Sequence, residues 1–160
     1  MRKMFLLVLT AALLLVCTAC GQPAESVGSS GGERLEGELS ELLAEVTKDA
    51  TDPELSLLET EVTEENFSWF LFIDPIEGAE AIVSEPAIGS IAHCVALLRV
   101  PDSVDAEEVR AEIEEKLDPR KWVCAEAEKT AVLRRGNVIL MAMSNRDTVD
   151  KVVENFNALS

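Results

Sequence analysis

The chain holds one histidine, His93, four cysteines, 30 Asp and Glu side chains, and a basic–aromatic cluster, Arg120-Lys121-Trp122. A histidine can move protons near neutral pH and serve as a general base. The neighbours of His93 offer no nucleophile at a recognisable spacing. The residue opens an apolar stretch, so a structural or partly exposed imidazole is the expected role. Ser84 and Ser90 lack the G-x-S-x-G frame of a hydrolase elbow, and there is no GxGxxG or P-loop pattern. Asp74, Glu77 and Glu80 flank Gly78 and could gather around a cation, but their spacing is not that of a calcium loop. Beyond the first twenty residues, Cys94, Cys124 and His93 without a CxxC do not make a zinc site. No metal, cofactor or catalytic residue is predicted. Arg120, Lys121 and Trp122 are the candidate ligand contacts, since a basic pair beside an indole could hold an anion or a sugar ring. The simpler reading has the two cations neutralising nearby acids while Trp122 enters the core. Asn145-Arg146 is a weaker cluster of the same kind.

The cysteines carry the most specific chemistry. Arg2 and Lys3 precede an apolar run of about 13 residues, Met4 to Val16, and Thr18-Ala19-Cys20-Gly21 follows. A basic start, a short apolar stretch and small residues before a cut site make a secretory signal peptide. The run is shorter than the roughly 20 residues a membrane-spanning helix needs. Cleavage ahead of a cysteine makes it a lipoprotein signal. Cys17 follows Leu-Leu-Val, which puts a branched residue at the scissile bond, whereas Cys20 follows the small pair Thr18-Ala19. Cys20 is therefore the expected lipidation site, although Cys17 stands where a lipobox usually has Leu. Plain secretion and an uncleaved anchor are the alternatives. Acyl chains on Cys20, palmitate among them, would tether the protein to the extracytoplasmic face of the cell membrane, because two or more chains give stable anchoring where one does not. Cys94 and Cys124 then remain as the one disulfide pair open to the chain. Both sit in strand-like apolar stretches, where free cysteine behaves as a small hydrophobe.

The formal net charge is −16, from 14 basic and 30 acidic residues. Such a chain repels phosphate backbones, which argues against nucleic acid as a partner. It favours a solvated acidic surface or a cationic ligand. Residues 1–19 read as the signal peptide. Residues 20–33 are the lipidated cysteine and a flexible Gly/Ser-rich linker. Residues 34–160 are long enough for one domain with its own core.

The elements that must position these groups follow from periodicity. Leu35, Leu39, Leu42, Leu43 and Val46 lie on one helix face. The polar face of that helix is acidic, unlike that of a helix lying on a membrane, so it is expected to pack on the domain. Phe67 to Ile73 is either a buried strand or a short helix. Glu80 to Ser84 and Ile91 to Val100 read as strands. Val95 to Leu98 is apolar throughout, as in a central strand covered on both faces. A helix follows, capped by Asp102, Ser103 or Asp105, with Val109, Ile113 and Leu117 inward. Trp122 to Arg134 reads as a long strand, Gly136-Asn137 as a hairpin turn and Val138 to Met143 as the returning strand. Ser144 is a candidate cap for a last helix with Val149, Val152, Val153, Phe156 and Leu159 on one stripe. The order α-β-β-β-α-β-β-α predicts an α+β fold: a two-layer sandwich with a mostly antiparallel sheet and helices packed on one face. Its C-terminal β-α-β-β-α part is ferredoxin-like.

The stretches SIAHCVALLRV (90–100), DPRKWVCAEAEKT (118–130) and GNVILMAMS (136–144) resemble a family of small bacterial lipoproteins of the Gram-positive type, whose shared domain has no assigned activity. The resemblance spans roughly residues 35–160 and implies an anchored α+β domain. It transfers no catalytic residue. The family pattern often carries serine at the position of Cys94, which speaks against a Cys94–Cys124 bridge. The expected protein is a surface-tethered, non-enzymatic binding or accessory module of the cell envelope, partnered by an envelope protein or a small ligand. The competing expectation is an envelope enzyme of hydrolase type using His93 or paired carboxylates.

Overall fold

The structure, a computed structural model, describes residues 34–160. The signal segment, Cys17, Cys20 and the linker lie outside the described residues. Five strands form one antiparallel sheet: β1 (Leu57–Glu61), β2 (Glu80–Pro86), β3 (Cys94–Arg99), β4 (Lys129–Arg135) and β5 (Val138–Ser144), in spatial order β1-β2-β3-β5-β4. Four helices accompany them: α1 (Leu39–Thr47), α2 (Phe67–Leu71), α3 (Ala106–Lys116) and α4 (Arg146–Ala158). The α+β class and the antiparallel sheet are as the sequence predicts.

The layering differs from the expected single helical face, because helices cover both faces of the sheet. Side chains alternate sides along a strand, and β3 and β5 are apolar at every position of that alternation except their last residues, Arg99 and Ser144. Cys94, Ala96, Leu98, Ile139, Met141 and Met143 face one core with Phe67 and Phe70 of α2 and Val109 and Ile113 of α3. Val95, Leu97, Val138, Leu140 and Ala142 face a second core with Leu42, Leu43 and Val46 of α1 and Val149, Val152 and Phe156 of α4. One helix pair could not have covered both sets. The order β3-α3-β4-β5, with β5 between the two strands that α3 joins, keeps the split crossover of the ferredoxin-like unit. Its second helix, α4, packs on the opposite face from α3, so the likeness ends there.

Local chemistry accounts for the elements. In α2, Phe67, Phe70 and Leu71 are buried at i, i+3 and i+4 while Trp69 is exposed, so the aromatic run follows a helical period and not a strand period. The Asp105 carboxylate accepts hydrogen bonds from the N–H groups of Glu107 and Glu108 at the start of α3. Val109 and Ile113 are buried there, and Leu117 is partly buried. The β4–β5 hairpin turns at Gly136-Asn137, with Arg135 opposite Val138 and Gly136 at φ 55°, a left-handed position that glycine adopts without strain. Strand β1 was not predicted. Its sequence, LLETE, has too few apolar residues to stand out, and it completes the sheet by pairing with β2.

The predicted strand from Trp122 is corrected: β4 begins only at Lys129. Residues 118–128 form a loop that closes on itself, with Ala127 N–H donating to the Pro119 carbonyl at 2.9 Å. Ser144 is also not the cap of α4. It is the last residue of β5, and the Asn145 side chain caps the helix by accepting from Thr148 N–H at 2.9 Å.

Candidate functional site

His93 and Ser144 stand one step beyond the Cys94–Met143 pair that ends the β3–β5 ladder. Adjacent strand ends thus bring together two residues separated by 51 positions, and the His93 Nδ1 and Ser144 Oγ atoms are 3.0 Å apart. Both side chains are buried, His93 being 1% exposed and Ser144 2%. The other ring nitrogen, Nε2, has no hydrogen-bond partner. Burial lowers the imidazole pKa to about 4, so the ring is neutral at neutral pH.

The pair lies on the wall of a cleft of about 300 Å³ at this end of the sheet. The approach to β1 contributes Thr51, Asp52 and Leu55. The β2–β3 loop contributes Ile91 and Ala92, the 118–128 loop contributes Ala125, Glu126 and Glu128, and the start of α4 contributes Asn145 and Thr148. Three carboxylates and no basic side chain line the cleft. Two of these carboxylates have backbone partners: Asp52 accepts from Glu54 N–H at 2.9 Å, and Glu128 accepts from Arg146 N–H at 3.3 Å. Sequence reasoning placed His93 at a strand start but missed Ser144 as its partner. Only the antiparallel pairing of β3 with β5 makes them neighbours.

The Arg120, Lys121 and Trp122 side chains each have separate neighbours within the protein. Arg120 is exposed and pairs with Asp118 at 3.6 Å, and Trp122 packs against the first core. Lys121 turns toward α2, where its Nζ lies 4.9 Å from the Trp69 ring centroid, 5.0 Å from Phe70, 5.5 Å from Phe72 and 5.7 Å from Trp122. It also donates to the Trp69 carbonyl at 3.1 Å. Desolvation lowers its pKa. The cation thus fastens the 118–128 loop to α2 through ring faces. The aromatic run FSWFLFI held the signal for this contact, but no spacing rule links it to a lysine some fifty residues away.

Cys94 and Cys124 are free thiols, the first buried and the second exposed, so the disulfide that the sequence allowed is not formed. Burial pushes the Cys94 thiol up to about 12, which keeps it protonated and unreactive. Glu80 of the Asp74/Glu77/Glu80 group turns to Arg99 at 3.3 Å. Among the described residues no three His, Cys, Asp or Glu side chains form a group that could hold a metal ion, and no helix is long and apolar enough to cross a membrane.

The opposite end of the sheet receives the segment that leads into the domain. Leu35 is buried in the second core, and Arg99 donates to the carbonyls of Gly37 at 2.7 Å and Leu35 at 3.4 Å. Arg34 pairs with Asp102 on the same side. His93 precedes the first residue of β3 and Arg99 is its last. The cleft and this incoming segment are therefore separated by the length of the strand, about 20 Å at roughly 3.3 Å per residue.

The chain matches no protein-family model, no curated protein and no solved structure.

Proposed function

We propose that this protein is a lipoprotein of the bacterial cell envelope, tethered through acylated Cys20, whose domain is a non-enzymatic module that binds a ligand at the His93 cleft. The observation that carries this reading is the cleft itself: loops from four parts of the chain meet around a buried neutral imidazole with one nitrogen unpartnered. Concave sites with a few placed polar groups are the usual form of small-ligand sites. Two further features support the reading. The Leu35–Gly37 segment joins the domain at the Arg99 end, the opposite end of β3 from the cleft. The resemblance to small bacterial lipoproteins fits the signal at Cys20.

The test is a ligand screen of the full-length chain followed by amide chemical-shift mapping. The reading predicts saturable shifts at Thr51–Leu55, Ile91–His93, Ala125–Glu128 and Ser144–Thr148. A screen whose hits all map elsewhere would remove the cleft from the proposal.

A hydrolase-type enzyme is the second reading, favoured by one specific observation, the serine–histidine contact at 3.0 Å in a cleft with carboxylates. The chemistry weighs against it. A ring that protonates only near pH 4 is a weak base at neutral pH. Turnover of an ester or amide substrate that disappears in both Ser144→Ala and His93→Ala, with folding intact, would reverse this preference.

A further inference from the structure

We propose that the His93 cleft is a site for a small organic cation carrying a protonated amine, an inference that rests on the binding-module reading and names its ligand class. Charge is the first consideration. Asp52, Glu126 and Glu128 line the cleft and no basic side chain does, in a chain whose formal net charge is −16. An acidic wall raises the local concentration of cations and disfavours anions. Among the described residues no hydrogen-bond or ion-pair partner engages the Glu126 carboxylate, unlike those of Asp52 and Glu128.

The second consideration is independent of charge. His93 is 1% exposed and its Nε2 has no partner, whereas Nδ1 is taken by Ser144. A buried polar atom without a partner is costly, at about 1–3 kcal/mol. In the tautomer with Nδ1–H donating to the Ser144 hydroxyl, Nε2 is a bare acceptor that an ammonium N–H can satisfy; in the other tautomer it is a donor. A protonated imidazole would repel the same ligand, and burial keeps this ring neutral. The cleft volume of about 300 Å³ equals that of about ten waters in the liquid, at roughly 30 Å³ each. That suits a small molecule better than a folded partner. Nε2 is closed to solvent, so a ligand reaches it by a small displacement of the cleft wall, and the His93 ring resonances become the sensitive reporter.

The test uses the full-length chain with 1,5-diaminopentane as probe. Choline serves as a cation with no N–H to donate, and pentanoate as an anion of similar length. Calorimetry gives affinity, and the His93 carbon–proton resonances report the contact. The diamine is expected to bind saturably and shift those resonances, with choline weaker by about tenfold, the factor worth roughly 1.4 kcal/mol. His93→Phe should abolish diamine binding. Glu126→Gln should weaken it and flatten its salt dependence, and circular dichroism checks that both variants fold. Equal binding of choline, or diamine affinity unchanged in both variants, would overturn the proposal. Binding of pentanoate alone at the cleft would overturn the cation class and leave the binding module standing. A cleft silent to all three probes refutes the amine site, while hits from the wider screen would still decide the module reading.

Discussion

Lowering the pH from 8 to 5 should destabilise the domain through His93, and the size of the loss follows from its burial. The native imidazole titrates at about 4 against 6.5 for an ordinary histidine. Between these values the unfolded chain binds a proton that the native state refuses, so stability rises with pH across that window. The contribution is complete above about pH 6.5 and is lost as pH falls toward 4. Each pH unit between the two values is worth about 1.4 kcal/mol, so the full effect is about 3 kcal/mol, of which about 2 kcal/mol is gone at pH 5. The Glu107 carboxylate, lowered by hydrogen bonds from Arg110 and Arg134, is present in both the wild type and the His93→Asn variant, so its contribution cancels in their comparison. The assay is urea unfolding at several pH values for the wild type and His93→Asn, whose amide can keep the Ser144 hydrogen bond but cannot take up a proton. The wild type should lose about 2 kcal/mol more than the variant between pH 8 and pH 5. Parallel profiles for the two proteins would refute the buried neutral imidazole, and with it the acceptor role given to Nε2.

Other outcomes probe the remaining parts. Lys121→Met keeps the side chain's apolar bulk but removes the cation from four ring faces. It should cost about 1 kcal/mol by thermal unfolding and alter tryptophan emission, because Trp69 and Trp122 both lie within 6 Å of its Nζ. Phe156→Ala opens a cavity in the second core, where the ring is fully buried, and should cost about 3–5 kcal/mol in denaturant unfolding. A loss near zero would mean that α4 does not cover the sheet. Cys20→Ser should move the protein from the membrane fraction to the soluble fraction and abolish incorporation of labelled palmitate.

How far the fold was legible depended on whether the signal was local. The α1 and α4 stripes and the β4–β5 hairpin could be read because each is defined by spacing within a dozen residues. Asp105 was among three cap candidates, and only the geometry of the first turn selects it. The run Phe67 to Ile73 was ambiguous because its six apolar or aromatic residues, broken only by Ser68, satisfy either period. Burial of Phe67, Phe70 and Leu71 decides for helix. The second helical layer was implied by the unbroken apolar run Val95–Leu98, which a sheet with one open face would not tolerate. The candidate site was the least legible part. His93 was visible, but its meaning depends on Ser144, Glu126 and Asp52, which reach it through strand pairing and loop packing that no sequence spacing encodes.

The double covering of the sheet bears on where this domain can meet anything else. Its faces are occupied by α1 and α4 on one side and α2 and α3 on the other. Its edges carry charge, with Glu59 and Glu61 on β1 and Lys129, Arg134 and Arg135 on β4, which discourages strand addition. The Arg99 end is tied up by the Leu35–Gly37 segment. At the loop end, exposed Ile91 lines the cleft and Val123 stands exposed in the 118–128 loop, whose Ala125, Glu126 and Glu128 line it too. Apolar side chains left in water on the loops of an acidic cleft suit a contact surface better than a solvated terminus, since each would be stabilised by covering. The same arrangement predicts that Val123→Lys, fully exposed in the 118–128 loop, leaves unfolding stability within about 0.5 kcal/mol of wild type. It should nevertheless weaken any ligand or partner that covers the cleft. If every binding activity survives that substitution, the contact surface lies away from Val123.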